Sequence, residues 1–183
     1  SDSLITKRAL AKIKRTLSDR NFEKISINDL TNKCGLNRQT FYYHFQDKYD
    51  LLQWLYYDEL FADIENIITF DNWDQCLLTV LEKIYQEKDF YISTINTNEQ
   101  YFYHDLYNLA QKCFYDAITK LDVNKTVSPQ EKNFFSEFYA YGIAGTVLRW
   151  IKTNMKNEPA KLAHGLKKIA TQSETFAASL LNN

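Results

Sequence analysis

Turn-forming residues are scarce in this chain, which has four glycines and two prolines among its 183 residues. Proteins built from β-sheets need a tight turn after each short strand, and glycine and proline are the residues that most often mark such turns. Apolar side chains recur instead every three or four residues over long stretches, which is the spacing of amphipathic helices. The sequence therefore predicts an all-α fold.

The segment 26–48 contains the clearest signals for where helices begin and end. Ser26 and Asp29 have the spacing of a capping box, in which each side chain binds the backbone amide of the other residue at a helix start. Gly35 stands where this short helix must end, and we expect it to adopt a positive φ, which is accessible to glycine at little cost. The spacing predicts a short helix followed by a tight turn.

A second short helix is predicted directly after this turn. Asn37 is a suitable cap for its start, and Phe41 and Phe45, four residues apart, lie on one side and point at a core. Gln39 and Tyr43 must then face away from that core. Together with the preceding helix, this arrangement is a helix-turn-helix.

The outward side of the second helix carries side chains that suit DNA recognition. Arginine pairs with guanine and glutamine with adenine through two hydrogen bonds, a tyrosine ring packs against a thymine methyl group, and hydroxyl or imidazole groups bind phosphates. Asp47 is expected to cap a third helix, so that Lys48 stands at its amino end, where a phosphate can bind. An ordinary pair of short helices in an all-α core, with half-buried tyrosines, is the alternative interpretation.

The sequence TFYYHF at residues 40–45, followed by Asp47, Lys48, Leu51 and Leu52, resembles the signature of the TetR family of transcriptional regulators. The resemblance implies contacts with base edges from three residues: Arg38, Gln39 and Tyr42. It implies contacts with phosphates from six others: Ser26, Asn28, Thr40, Tyr43, His44 and Lys48. Because Arg38 and Gln39 replace a pair that is commonly small in the family, the operator sequence cannot be inferred from relatives.

Charge divides the chain into two parts. Residues 1–50 carry ten basic and six acidic side chains, a net charge of +4, whereas the remainder has a net charge of −5. The basic part can approach a polyanion, and it includes an amphipathic helix predicted over residues 6–20. The basic side of this helix either contacts the DNA backbone or is simply a solvated charged face. We therefore predict a helix-turn-helix DNA-binding domain over residues 1–51 and a helical effector-binding and dimerisation domain over residues 52–183.

The boundary lies inside a long helix predicted over residues 47–68, because no flexible linker separates the two parts. Further helices are predicted over residues 73–88, 99–121 and 129–153, with a break at 96–98 before the second of them. A last helix opens at Pro159, and its predicted inward residues are Leu162, Leu166, Ile169, Phe176 and Leu180.

Gly142 and Gly145 lie inside the penultimate predicted helix, where each costs about 1 kcal/mol relative to alanine. Close approach of another helix, from the same chain or from a second copy, would offset that cost. Small residues are also frequent nearby, namely Ala140, Ala144, Ala163, Ala170 and Ala177. A helix-turn-helix normally works as a dimer on a palindromic site, and the TetR resemblance implies a four-helix bundle from the last two helices of each subunit. We therefore expect a homodimer.

An effector site is expected among the middle helices, where aromatic side chains are frequent. Such residues are commonly plain core, but the family resemblance implies a cavity whose small-molecule ligand changes DNA binding. The candidate lining residues are Trp54, Tyr57, Phe61, Tyr85, Tyr101, Phe102, His104, Tyr107 and Phe114. For His104, a half-exposed helical histidine is the alternative. A further similarity, to the dihydroxyacetone-kinase operon activators of the family, implies a protein coactivator in place of the small molecule.

The remaining features limit the class of function. No pair of histidines has metal-ligand spacing and no glycine-rich phosphate loop is present, so we expect neither an enzyme nor a cofactor. Cys34, Cys76 and Cys113 are far apart and are expected to form no disulfide in a reducing cytoplasm, and no apolar run is long enough to cross a membrane. The expected function is a cytoplasmic DNA-binding regulator, acting as a repressor that an effector relieves. The alternatives are an activator controlled by a protein coactivator and a helical ligand-binding or protein-interaction module without DNA function.

Overall fold

The computed structural model describes residues 13–14, 17–18 and 20–181, with side chains up to residue 173. This part of the chain contains seven α-helices and no strand, which confirms the predicted all-α fold. The helices are α1 (Ile27–Cys34), α2 (Arg38–His44), α3 (Lys48–Tyr56), α4 (Trp73–Gln86), α5 (Lys88–Leu121), α6 (Pro129–Lys152) and α7 (Pro159–Leu181). Residues 13–14 and 17–18 are also helical and belong to the helix predicted over residues 6–20, most of which lies outside the described residues.

We call the segment 20–51 the head. Within it, helices begin and end at the residues that the sequence predicts. The hydroxyl of Ser26 accepts from the amide of Asp29 at 3.2 Å, and the carboxylate of Asp29 accepts from the amide of Ser26 at 2.9 Å. Gly35 ends α1 with a φ of 66°. Asn37 accepts an amide hydrogen bond at the start of α2, and Asp47 accepts two at the start of α3. These local caps fix the boundaries of the helix-turn-helix.

α3 is shorter than the helix predicted over residues 47–68. It ends at Tyr56 and continues into a single π-helical turn, Tyr57–Phe61, in which the amide of Ala62 donates to the carbonyl of Tyr57 at 2.9 Å. A π turn adds about one residue to a helical turn and rotates the side chains that follow. Tyr57, the first residue of this turn, is exposed, and the prediction of one regular helix is wrong from residue 57 onwards.

α5 runs through the segment 96–98, where the sequence predicts a break. The helix continues, but Asn98 has a φ of −136° and a ψ of 38°, so the predicted break is a kink. The buried side-chain amide of Asn98 donates to the carbonyl of Thr94 at 3.3 Å. In a regular helix that carbonyl accepts from the backbone amide four residues later, so the side chain supports the departure from helical geometry.

The residues from 52 onwards, which we call the body, consist of packed helix pairs. α6 packs along α5, and α7 packs along α4. Ion pairs join Lys152 to Glu99 at one end of the first pair and Lys132 to Asp122 at the other, which makes α5 and α6 antiparallel. One apolar core continues from the head into the body.

Side chains connect the head to the body in addition to α3. Tyr49 of α3 stacks on Tyr101 of α5 with ring centroids 6.2 Å apart. Lys14, in the helical segment before the head, forms ion pairs with Glu59 and Glu87 of the body. α5 and the π turn therefore lie directly against the part of the chain that carries the helix-turn-helix.

The small residues of α6 and α7 fall into two groups. Of the five alanines named in the sequence analysis, four are buried in the chain's own core: Ala140, Ala144, Ala163 and Ala170. Ala177 lies outside the described side chains. Gly142 and Gly145 face open space instead, where an added Cβ atom would meet nothing within 4 Å. Crowding within the chain therefore does not account for these two glycines.

Cys76 and Cys113 are buried thiols inside α4 and α5. Burial raises the pKa of the Cys113 thiol to about 12, which keeps it protonated and unreactive at neutral pH. No helix in the described part of the chain combines the length and the apolar character that a bilayer span requires.

Candidate nucleic-acid interface

The two sides of α2 differ sharply in exposure. Phe41 and Phe45 are buried, with ring centroids 5.7 Å apart, which confirms that this side points at the core. Gln39, Tyr42 and Tyr43 lie on the outside, and Tyr43 exposes 84% and Tyr42 48% of its surface. The predicted reading side of the helix is therefore open to solvent.

Arg38 and Tyr42 are one turn apart on α2 and contact each other. Nη2 of Arg38 donates to the phenolic oxygen of Tyr42 at 3.1 Å, and the guanidinium carbon lies 5.6 Å from the centre of the tyrosine ring. Holding a long side chain in place lowers the entropy that it loses on binding. A guanidinium has five N–H donors, so four of those on Arg38 remain for a base edge.

The hydroxyl groups of Ser26 and Thr40 both take part in hydrogen bonds at the helix starts. Ser26 donates to the carboxylate of Asp29 at 2.7 Å, and Thr40 donates to the side-chain oxygen of Asn37 at 3.0 Å. The hydrogen bonds from Ser26 also lower the pKa of Asp29, so that the carboxylate stays ionised. Because each hydroxyl has one hydrogen and phosphate oxygens only accept, a hydroxyl that donates to a phosphate must give up the hydrogen bond that it donates here.

Three other residues that are predicted to contact phosphates are exposed. Asn28 lies at the start of α1, and Tyr43 and His44 lie at the end of α2. The rings of Tyr43 and His44 pack edge to face with centroids 5.0 Å apart.

Lys48 lies at the start of α3, as predicted, but its ammonium group points into the protein. It donates at 3.0, 2.9 and 3.1 Å to three backbone carbonyls of the turn before α1, those of Phe22, Glu23 and Ile25. These partners lie more than twenty residues away, and no local sequence signal indicates them.

The nine residues predicted to line an effector cavity are scattered through the molecule. Phe61 and Phe102 are buried core residues whose ring centroids lie 6.1 Å apart. Trp54 packs on Phe45 of the head. Tyr85 stacks on Trp150 and Tyr101 stacks on Tyr49, and both of these partners lie outside the predicted set.

Three of the remaining four residues lie at or near the surface. Tyr57 is exposed and donates to Glu65, and His104 is exposed beside Asp105. Tyr107 contacts Tyr141, and burial together with this contact raises its pKa to about 12. The structure does not bring these side chains together around one space.

Phe114, the ninth residue, does line a cavity. This cavity lies between the chain that follows the π turn and helices α4, α5 and α6, and Ile68, Trp73 and Leu109 also line it. Its lining is almost wholly apolar, and its volume of about 30 Å³ has room for about one or two water molecules.

A second exposed surface follows one side of α6. Phe134, Phe138 and Tyr141 are exposed, Phe138 by 70%, and the helical period places them on the same side as Gly142 and Gly145. The sequence-based prediction named the glycines but not these aromatic residues, whose spacing of four and three residues was the available signal. Contiguous exposed apolar surface of this kind typically marks an interaction site.

α7 also presents an apolar residue to solvent. Ile169 is 61% exposed, whereas Leu162 and Leu166 are half-buried. The prediction that Ile169 points into the core of its own chain is therefore wrong. Ile169 lies one helical turn after Gly165, on a side of α7 where an added Cβ atom at Gly165 would meet nothing within 4 Å. The side chains of Phe176 and Leu180 lie outside the described part.

Two family models match the chain. Residues 9–55 match the bacterial regulatory proteins of the tetR family, a range that contains α1, α2 and most of α3. Residues 71–172 match a transcriptional regulator C-terminal region, a range that contains α4, α5 and α6 and the first half of α7.

The chain is also similar to known regulators. It is 30% identical to the HTH-type dhaKLM operon transcriptional activator DhaS of Lactococcus lactis subsp. lactis (strain IL1403). The two sequences align over 145 residues, which are 77% of this chain and 76% of that protein. A solved structure, of a dihydroxyacetone kinase operon activator DhaS, has the same fold, with a TM-score of 0.70 and 22% identity over 92% of this chain and 95% of the other. The family matches at both ends and the identity to a known regulator show that this chain is a DNA-binding transcriptional regulator of the TetR family.

Proposed function

We propose that this regulator acts as a homodimer that reads a palindromic operator, with one copy of α2 in the major groove of each half-site. The observation that carries the proposal is the division of α2 into a buried side, with Phe41 and Phe45, and an exposed side of polar and aromatic residues. A helix with this division enters a groove about 12 Å wide while its inner side stays attached to the head. Half-sites about 34 Å apart, one turn of DNA, suit such a dimer.

The residues of the exposed side have chemically distinct tasks in this proposal. Arg38 pairs with guanine, Gln39 with adenine, and the ring of Tyr42 packs on a thymine methyl group. Asn28, Tyr43 and His44 are exposed donors for phosphates, whose contacts set the register on the duplex without reading its sequence. Ser26 caps the start of α1, and the hydroxyl of Thr40 donates to Asn37, the cap of α2, so that both residues hold helix starts beside the DNA.

Replacement of Arg38 tests the reading role of α2. Arg38→Ala is expected to weaken binding to the operator by about 5- to 150-fold per half-site, equal to about 1–3 kcal/mol, and to remove a preference for guanine at one position. The operator is obtained by selecting random duplexes with the wild-type protein. Fluorescence anisotropy then measures the affinity of both proteins for this operator and for duplexes in which single guanines are replaced.

Two further variants control for this experiment. Lys33→Ala removes one positive charge from an exposed position at the end of α1 and is expected to leave the base preference unchanged. Tyr42→Phe keeps the ring but removes the oxygen that accepts from Arg38, and a smaller loss of affinity is expected. An Arg38→Ala protein with the affinity and base preference of the wild type would contradict the proposed reading role, and failure to select any duplex would favour a module without DNA function.

The surface of α6 supports the dimer in this proposal. Its exposed aromatic residues and its two open glycines form an apolar side on which a second helix can pack closely. A two-fold interface places the same surface of both copies in contact, so that this one side of α6 supplies both halves of the contact.

The direction of regulation is a separate part of the proposal. The sequence-based prediction is a repressor, whereas the similar protein of Lactococcus lactis is an activator, and this similarity favours activation. A reporter gene behind the selected operator is expected to be expressed more strongly in cells that contain the protein than in cells that lack it. Lower expression in the presence of the protein would favour the repressor instead.

An effector is expected to act on the body and to change the spacing of the two heads. It can do so only if its affinity differs between the two spacings. The cavity beside Phe114 is far smaller than a site for a metabolite, so a small-molecule effector would have to open it, whereas a protein effector would bind the outer surface.

A further inference from the structure

The turn before α1 is held by the side chain of Lys48. The carbonyls that accept from its ammonium group belong to the 3₁₀ turn Phe22–Lys24 and to Ile25, directly before the N-cap residue Ser26. An ammonium group has three N–H donors. The three distances, all between 2.9 and 3.1 Å, account for every one of them.

Aromatic rings enclose the same ammonium group. Nζ of Lys48 lies 5.0 Å from the ring centre of Phe22 and 5.4 Å from that of Tyr49. These two rings pack edge to face at 5.5 Å, and the hydroxyl of Tyr49 donates to Glu23 at 2.8 Å. The charge is therefore stabilised by three carbonyl dipoles and two ring faces within the protein.

We infer that Lys48 is a positioning residue of the DNA-binding domain: its ammonium group ties the turn before α1 to the start of α3 and thereby sets the orientation of α2, which lies between them in the chain. The inference rests on the proposed reading role of α2. To bind a phosphate, Lys48 would have to abandon three charge-assisted hydrogen bonds and leave their carbonyls without this donor, and such losses are costly in partly buried surroundings.

Salt dependence separates the positioning role from a phosphate contact. Each phosphate contact adds about 0.9 to the slope of the logarithm of affinity against the logarithm of salt concentration. Lys48→Met keeps most of the aliphatic stem and is expected to weaken operator binding about tenfold, because a smaller fraction of heads has the arrangement that fits the groove. Its slope, measured by anisotropy over roughly 50 to 300 mM salt, is expected to equal that of the wild type. A slope lower by about one would overturn the inference.

Lys48→Arg separates charge from geometry. A guanidinium keeps the charge and would keep a phosphate contact, but its donors are spread over three nitrogen atoms in one plane. They cannot converge on three carbonyls as the donors of a single ammonium nitrogen do. The arginine variant is therefore expected to bind the operator as weakly as Lys48→Met, and affinity equal to that of the wild type would overturn the inference.

Hydrogen exchange of the free protein gives a readout that does not depend on DNA. Lys48→Met is expected to speed amide exchange in residues 22–29 by about tenfold, because the turn opens more often. Lys24→Met removes an exposed lysine from the same turn and is expected to leave exchange unchanged. Unchanged exchange in Lys48→Met would overturn the inference, whereas complete unfolding of its head would support it, since a phosphate contact contributes nothing to the free protein.

The Arg38→Ala variant distinguishes failure of this inference from failure of the proposed function. If Arg38→Ala binds the operator like the wild type, α2 does not read DNA and the proposed function fails. If Arg38→Ala binds weakly while Lys48→Met lowers the salt slope by about one, only the positioning role of Lys48 fails.

Discussion

Gly145→Leu is expected to abolish tight operator binding while the individual chain stays folded. Nothing lies within 4 Å of the position that a Cβ atom would take at Gly145, so the chain itself has room for a larger residue. Replacement of a glycine in a helix interior also favours the helix by up to about 1 kcal/mol. In the proposed dimer, however, the missing side chain lets a second helix approach α6 closely, and leucine would hold the two helices apart.

The expected size of the effect follows from the linkage of two heads. Two heads on one duplex bind about 10²- to 10⁴-fold more tightly than one, because the second head binds at a high effective concentration. Gly145→Leu is expected to lose a factor of this size in operator affinity and to sediment as a monomer. Anisotropy and analytical ultracentrifugation measure the two quantities, and thermal unfolding shows whether the chain remains folded.

A leucine at another exposed helical position provides the control. Glu82→Leu adds an apolar side chain to the exposed side of α4, outside the surface of α6, and is expected to leave the dimer and the operator affinity unchanged. If Gly145→Leu stays dimeric with the affinity of the wild type, the interface lies elsewhere.

The helix boundaries of the head were predictable because their causes are local. Ser26 and Asp29 are three residues apart, Phe41 and Phe45 are four apart, and Gly35 needs only its own backbone to adopt a φ of 66°. Interactions of this range are visible in any short window of sequence. The exposed side of α2 then follows from the buried side through the helical period.

Features that depend on distant partners were not predictable in the same way. Lys48 binds carbonyls at least 23 residues away, and without those partners its position at a helix start suggests a phosphate contact. The π turn Tyr57–Phe61 ends the regular helix early, and no residue type in the sequence specifies such a turn. Ile169 has the spacing of a core residue, and which of two apolar sides of α7 meets α4 depends on the whole body. Aromatic residues at helical spacing likewise do not reveal whether they surround a cavity or fill it.

Phe102→Ala is expected to lower the free energy of unfolding by about 3–5 kcal/mol. The ring of Phe102 is fully buried and lies 6.1 Å from that of Tyr56 in α3 and 6.1 Å from that of Phe61 in the π turn. Its removal leaves a cavity where α3 enters the body, and closely packed surroundings relax only partly into such a space. Since domains of this size are typically stable by about 5–15 kcal/mol, the loss is a large part of the total. Urea denaturation followed by circular dichroism measures it.

Tyr43→Ala is the matched comparison, because it also removes one aromatic ring but from the exposed side of α2. Its unfolding free energy is expected to stay within about 0.5 kcal/mol of the wild type, while its affinity falls for all DNA sequences alike, as the loss of a phosphate contact predicts. A Phe102→Ala loss below about 1 kcal/mol would mean that the core around Phe102 closes without cost. A large Tyr43→Ala loss of stability would mean that this ring packs against the protein, and α2 could not then present it to a groove.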